Sequence, residues 1–410
     1  MKEISIDTKV TKMPKKQLDK NVLDASVERI GIVFDNFPKI YVSFSGGKDS
    51  SVMLHLVMDE AIRRNRKVGV LFVDLEGQYK LTIEHIHECY DDYKDNIIPF
   101  WVSLPLHLRN AVSQYQPHWI CWDPEEKDRW IRNPSEMSIT EESFFPFFNH
   151  GMEFEEFVPE FGKWYGQENL TACFVGIRSD ESLNRFRTIS SNKKQTFYGH
   201  KWTTWLGDGL YNIYPIYDWR TRDIWIYTGR NKKKYNRLYD RMYQAGLTIH
   251  QMRICQPYGD DQRKGLWLFH IIEPETWGKI VARVSGANHG ALYANETGNI
   301  LGVGKITKPD SMTWESFSML LLQSMPQKTS EHFKNKISVF LKWYQDRGYP
   351  DGIPDDGPMD KDHPSWKRIC KSILRNDYWC KGLSFTQHKS EAYEKYLKLM
   401  KKRRASWSLI

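Results

Sequence analysis

No stretch of about 18 apolar residues, the length that crosses a bilayer as a helix, occurs in the 410-residue chain. Residues 1–20 are polar and charged and lack the apolar core of a signal peptide. No membrane contact is expected, and a cytoplasmic location is. Cysteine is sparse. Cys89, Cys121, Cys173, Cys255, Cys370 and Cys380 are scattered, and without a CxxC pair they point away from a zinc site or a redox dithiol. The long gap between Cys370 and Cys380 gives little support to a disulfide or an iron–sulfur cluster, so no cluster is expected. Internal repeats are missing as well. So are the Walker A pattern, in which Gly and four further residues precede Gly-Lys-Ser/Thr, and the dinucleotide fingerprint of three spaced glycines.

Positive charge and aromatic residues are plentiful. A formal net charge of +8 suggests an anionic ligand or partner. Much of it lies in a C-terminal run (Lys398, Lys401, Lys402, Arg403, Arg404) and a milder N-terminal one (Lys12, Lys15, Lys16, Lys20), which read most simply as solvated helix faces. The 16 Trp and 21 Tyr interleaved with Lys and Arg would suit single-stranded nucleic acid. Aromatics are more often core, so nucleic-acid contact is the lesser expectation. With 40% hydrophobic content, the length suffices for two domains.

The most informative stretch is Ser45-Gly46-Gly47-Lys48-Asp49-Ser50. The apolar run before it (Ile40, Tyr41, Val42, Phe44) reads as a buried strand, and Val52, Leu54, Leu56, Val57 and Ile62 after it keep a helical period. The turn therefore sits where a strand meets a helix N-terminus. Glycines there let the backbone approach a ligand, the first-turn amides are free, and the helix dipole favours an anion. Helices are expected over 20–34, 50–65 and 81–93, and strands over 40–44, 68–73, 97–101 and 172–176. This alternation predicts a parallel, twisted α/β sheet with helices on both faces. Ligands in such sheets bind beyond the strand C-termini, where Ser45, Asp74 and Arg178 all fall.

An aromatic insertion over about 106–165, with Trp119, Trp122, Trp130, Phe144, Phe145, Phe147 and Phe148, is expected to be a lid over an acceptor pocket or a packing appendage. A basic segment over 230–234 marks the expected boundary between a domain of residues 1–230 and a mainly helical extension of 231–410. Extension helices are expected near 314–323, 331–347, 366–374 and 390–402.

A second element, Gly176-Ile177-Arg178-Ser179-Asp180-Glu181-Ser182 with Arg185 and Arg187, places guanidinium forks just past a strand end, suited to an oxyanion. A third is Tyr214-Pro215-Ile216-Tyr217-Asp218-Trp219 with Asp223-Ile224-Trp225 and Tyr227.

Together these elements resemble, in order, the SGGxDS pyrophosphate loop, the Gly-x-Arg segment and the Pro-to-Trp-to-Tyr element of the adenine nucleotide alpha-hydrolase (PP-loop, HUP-like) superfamily. Within it the chain looks like the 3'-phosphoadenylylsulfate (PAPS) reductases, and Arg178-Ser179-Asp180-Glu181 is similar to a segment of the sulfate adenylyltransferase small subunit. The stretch from Ile254 through Cys255 to Arg263, and on from Trp267 to Trp277, resembles the uncharacterised extension of the subgroup called immunoglobulin-binding regulator A-like. The Glu-Cys-Gly-Leu-His type segment of the reductases has no counterpart here. Cys255 is the cysteine beside a site motif, with Arg253 and Arg263 near it in sequence.

The resemblance implies an adenine nucleotide, ATP or PAPS, held with Mg²⁺. The implied nucleotide site comprises Ser43, Phe44, Ser45, Gly46, Gly47, Lys48, Asp49, Ser50, Asp74, Gly176, Arg178 and Arg185. Lys48, Asp49 and Arg178 are the implied catalytic groups, with Asp49 and Asp74 placing the metal. The leading expectation is adenylyl transfer from ATP to an anionic acceptor with release of pyrophosphate. Sulfonucleotide reduction is the alternative. A nucleotide-sensing regulator acting through a protein or nucleic-acid partner is a third.

Overall fold

Adjacent residues of strand β1 (Lys39–Ser43) point to opposite faces of the sheet, and both faces are apolar: Tyr41 belongs to one hydrophobic cluster, Ile40 and Val42 to another. The same split recurs in β2 (Val68–Val73), where Leu71 faces one way and Val70 and Phe72 the other, and in β7 (Thr171–Val175), where Cys173 opposes Ala172 and Phe174. Strands apolar on both faces belong in the middle of a helix-covered parallel sheet. The computed structural model describes residues 19–113, 116–191, 194–259, 266–287, 306–345, 349–358, 363–375, 377–378 and 380–383.

The sheet has seven strands in the order β6-β3-β2-β1-β7-β9-β8, with β3 at Ile97–Val102, β6 at Ser138–Ile139, β8 at Thr203–Gly207 and β9 at Leu210–Ile213. Its pairings are parallel except β8 with β9, an antiparallel hairpin turned at Gly207, Asp208 and Gly209, all with positive φ. That hairpin is the departure from the expected parallel sheet. One face carries α1 (Val22–Asn36), α2 (Lys48–Arg63), α3 (Lys80–Asp92) and α6 (Thr221–Arg230). The other carries α4 (Phe154–Gly166), α7 (Leu238–Gln244), α8 (Leu266–Ile272) and α9 (Pro274–Arg283). Helix α5 (Leu183–Ser190) follows β7.

The aromatic insertion is packing. Trp119, Trp122, Phe145 and Phe148 are buried in the same cluster as Tyr41 and Leu71, and the insertion's last part is helix α4. Phe157, Phe161 and Tyr165 of α4 lie under the sheet, where the Tyr165 hydroxyl accepts from the Gly69 amide and donates to the Ile40 carbonyl. The core also runs through the expected boundary at 230, since Leu238, Met242, Phe269 and Ile280 join that same cluster. A separate cluster unites α10 (Trp314–Gln323), α11 (Gln327–Gln345) and α12 (Trp366–Leu374), matching the helices expected there. The helix expected over 390–402 and both basic runs except Lys20 lie outside the described residues. Among those described, no helix is long and apolar enough to cross a membrane.

The C-terminal helices meet the short hairpin of β4 (His107–Arg109) and β5 (His118–Ile120) through histidines. A ring nitrogen of His118 lies 3.1 Å from the Tyr378 hydroxyl, and Tyr378 stacks on His332 at 3.7 Å. Burial lowers the pKa of His118 to about 3 and of His332 to about 4, and also lowers that of His107, stacked on His118. These imidazoles stay neutral in the fold while the unfolded chain takes up protons below its ordinary histidine pKa. Their contribution is therefore complete above about pH 6.5 and is lost as the pH falls from there toward 4. Allowing for partial exposure, we expect a loss on the order of 1 kcal/mol each from His118 and His332 between pH 7 and 5. Thermal midpoints across that range would show it, and His118→Asn should flatten the slope.

Candidate functional site

β1 ends on Ser43, and Phe44, buried on the sheet, donates its amide to the Leu71 carbonyl at 2.8 Å, so these two residues anchor the loop. Gly46 has φ +69°, and a Cβ there would lie 3.0 Å from Thr82 Cγ2, which explains the glycine twice over. Gly47 caps α2, whose first helical bond runs from the Ser51 amide to the Gly47 carbonyl at 2.9 Å. The Ser50 hydroxyl donates to the Gly47 carbonyl at 3.0 Å and accepts from the Ser45 hydroxyl at 3.0 Å and the Ser45 amide at 3.3 Å, pinning the turn. The amides of Gly46, Gly47, Asp49 and Ser50 have no acceptor among the described residues. Such amides at a helix start form a cradle for an anion.

Lys48, Asp49 and Arg178 come together as one buried array. Asp49 accepts from Arg178 Nε at 2.6 Å through Oδ1 and meets Lys48 Nζ at 3.2 Å through Oδ2. Arg178 is 2% exposed and also donates to the Trp219 carbonyl at 3.4 Å. Gly176 lets this strand end approach α2, because a Cβ on it would lie 3.0 Å from the Ser50 Cα. The Tyr214-to-Trp219 element braces the array from behind. Pro215 and Asp218 accept from Arg29 of α1 at 2.7 and 2.8 Å, and Trp219 donates to Ser26 at 2.8 Å. Arg185, more exposed, is ion-paired with Glu181 in the first turn of α5, whose cap is Ser182.

Asp74 is fully buried and engaged elsewhere. It accepts from Trp101 Nε1 at 2.9 Å and the Glu76 amide at 3.1 Å and is ion-paired with Arg132. Among the described residues no group of three His, Cys, Asp or Glu side chains is placed to hold a metal. The thiols of Cys89, Cys173 and Cys380 are pushed up to about 12 and that of Cys370 to about 11 by burial. Cys121, also fully buried, is raised further. Cys255 is half-buried, and the cysteines form no disulfide.

A further set of groups carries no motif and comes from downstream of residue 230. Asn236 Nδ2 donates to the Gly46 carbonyl at 3.1 Å and to Thr82 Oγ1 at 2.9 Å. The Lys48 amide donates to the Tyr239 hydroxyl at 2.9 Å, and Lys48 Nζ donates to the Met252 carbonyl at 3.4 Å. Arg253 donates to the Glu181 carbonyl at 3.0 Å, and a Cβ on Gly77 would strike Pro257 Cγ at 2.8 Å. Residues 236–257 thus close over the loop. The available sequence signals were slight: a polar Asn236 just ahead of α7 and a Tyr239 in its first turn.

Deeper still, Glu76 and Arg283 form a buried ion pair at 2.8 Å, with Glu76 also accepting the amides of Trp122 at 2.8 Å and Ile131 at 3.1 Å. Arg283 donates onward to the Ile120 carbonyl at 2.7 Å. Insertion, sheet and extension meet at this carboxylate.

Two family models match the chain. The phosphoadenosine phosphosulfate reductase domain covers residues 39–118 and 143–245, and a domain of unknown function (DUF3440) covers 246–351 and 348–394. The uncharacterised protein YbdN of Escherichia coli is 46% identical over 95% of this chain and 97% of its own. The uncharacterised protein MJ0066 of Methanocaldococcus jannaschii is 28% identical over 52% of this chain and 36% of its own. Among solved structures, a PAPS reductase of Candida auris in complex with phosphate matches with 14% identity and a TM-score of 0.32, covering 55% of this chain and 94% of that one. With identity this high along nearly its whole length, the protein belongs to the same family as YbdN, a PAPS reductase domain of the adenine nucleotide alpha-hydrolase type joined to a C-terminal domain of unknown function.

Proposed function

We propose that the protein binds an adenine nucleotide in the Ser45-to-Ser50 cradle and transfers its adenylyl group to an anionic acceptor, releasing pyrophosphate. The observation that carries this reading is the set of amides of Gly46, Gly47, Asp49 and Ser50 at the start of α2, without an acceptor among the described residues, beside the Lys48 ammonium. The PAPS reductase match supports the nucleotide class. In the step, an acceptor oxyanion attacks the alpha phosphorus, the bond from that phosphorus to the bridging oxygen breaks, and its electron pair leaves with pyrophosphate. Preorganised amides and Lys48 stabilise the charge that develops on the leaving group.

Arg178 acts on Asp49 rather than on the acceptor, since its Nε and one terminal nitrogen already serve Asp49 and the Trp219 carbonyl. Arg185, more open, is the residue we assign to the acceptor. Both Asp49 oxygens face cations, and Asp74 is committed to Trp101 and Arg132, so neither is free as a metal ligand. Mg²⁺ is accordingly part of the substrate, carried on the nucleotide's phosphates.

The test is calorimetric titration with ATP and Mg²⁺ and, separately, with PAPS, followed by assay of the mixtures for AMP, pyrophosphate and sulfite. ATP binding with pyrophosphate release is expected. Lys48→Ala should weaken ATP binding about tenfold, the scale of one charge-assisted contact. Unchanged pyrophosphate release in that variant would remove Lys48 from the phosphate site. Thioredoxin-dependent sulfite from PAPS would replace adenylyl transfer by sulfonucleotide reduction.

A further inference from the structure

Tyr239 is 3% exposed, and its hydroxyl oxygen sits on the anion cradle, accepting from the Lys48 amide at 2.9 Å with the Lys48 ammonium 5.6 Å from the ring centre. A phenol can accept and donate together, and here its proton has no acceptor among the described residues. The neighbouring ring repeats the pattern. Trp225 packs edge-on against Tyr239 at 5.4 Å, and its buried indole N–H also has no partner among the described residues. Buried donors left unpaired are costly, and the exceptions in folded proteins call for an explanation.

We infer that Tyr239 is a phosphate-contacting residue whose hydroxyl accepts from the Lys48 amide and donates its proton to an oxygen of the bound nucleotide's phosphates. This inference rests on the nucleotide reading above and adds to it a ligand group from α7, outside the glycine loop. Burial, then the nearby Asp49 carboxylate, raise the Tyr239 pKa, so the hydroxyl keeps its proton at neutral pH. The ring is held by Trp225, which fixes the donor before the ligand arrives. A rival role is distinguishable by sign. If the hydroxyl merely holds the place of a phosphate oxygen on the Lys48 amide, its removal frees that amide and binding tightens.

Tyr239→Phe deletes one oxygen and keeps the ring. The full-length variant and the parent are titrated with ATP plus Mg²⁺, inorganic pyrophosphate and adenosine. Affinity for ATP and pyrophosphate is expected to fall about tenfold or more, as for loss of a hydrogen bond to a charged group, while adenosine binding and the thermal midpoint change little. Equal or tighter pyrophosphate binding overturns the inference, and so does a loss of the same size for adenosine, which marks a structural role. As a second variant, 3-fluorotyrosine at position 239 has a more acidic hydroxyl and should bind pyrophosphate more tightly; weaker binding would count against donation. If the parent binds none of the three ligands, the nucleotide reading falls first and takes this inference with it, whereas a binding parent with an unaffected variant defeats this inference alone.

Discussion

Glu76→Gln is expected to lower the free energy of unfolding by about 3–5 kcal/mol, the usual cost of removing one partner from a buried ion pair. The carboxylate is fully buried, and one side chain serves Arg283 and the amides of Trp122 and Ile131. Neutralising it leaves the Arg283 guanidinium, itself 5% exposed, without a counter-charge. Arg283→Met should be costly for the reciprocal reason, while Glu76→Gln with Arg283→Met should cost less than the sum of the single changes. Denaturant unfolding of the four proteins in a double-mutant cycle measures the coupling. Additive losses would mean that the two residues do not act as a pair.

Gly176→Val is expected to cost about 2–3 kcal/mol of stability, at the upper part of the overpacking range. It should also weaken binding of ATP about 100-fold. A Cβ at 176 would lie 3.0 Å from both the amide nitrogen and the Cα of Ser50, and these backbone atoms cannot turn aside as a side chain can. The start of α2 would have to lift away from β7, and the amides of Asp49 and Ser50 with it. Gly229→Ala is the contrast. Its Cβ meets nothing within 4 Å in helix α6, so it should be neutral or gain about 0.5–1 kcal/mol. Comparing thermal midpoints and ATP titrations of the two variants separates loss of glycine from displacement of the loop.

The loop was legible because strand, glycines and helix are contiguous, and each leaves its own mark on the sequence. The strand at Val68–Val73 and the helices at Trp314–Gln323 and Trp366–Leu374 fall where their periodicity put them. Helix α4 lies inside the stretch read only as an aromatic insertion, although Phe154, Phe157, Phe161 and Tyr165 carry a helical spacing. The antiparallel β8–β9 hairpin hid behind a reading that expected parallel strands throughout. Glu76 and Arg283 could not have been paired from sequence, because charged residues are usually solvated and these two are 207 positions apart. Similar separations in sequence concealed Asn236, Tyr239 and Met252 as the far wall of the cradle.

That wall has a consequence for how the molecule is made. The contacts that complete the cradle join Gly46 to Asn236 across 190 positions, Lys48 to Tyr239 across 191 and Lys48 to Met252 across 204. A ribosome that has released β1 and α2 must still add these residues, and at about 5–20 residues per second that takes roughly 10–40 s. Through that interval the nascent loop lacks its closing segment, and the Lys48 amide and Glu76 carboxylate await partners not yet synthesised. The closed loop therefore arrives late and together with the extension, so a chain stalled short of residue 252 would carry the motif without the wall that closes it.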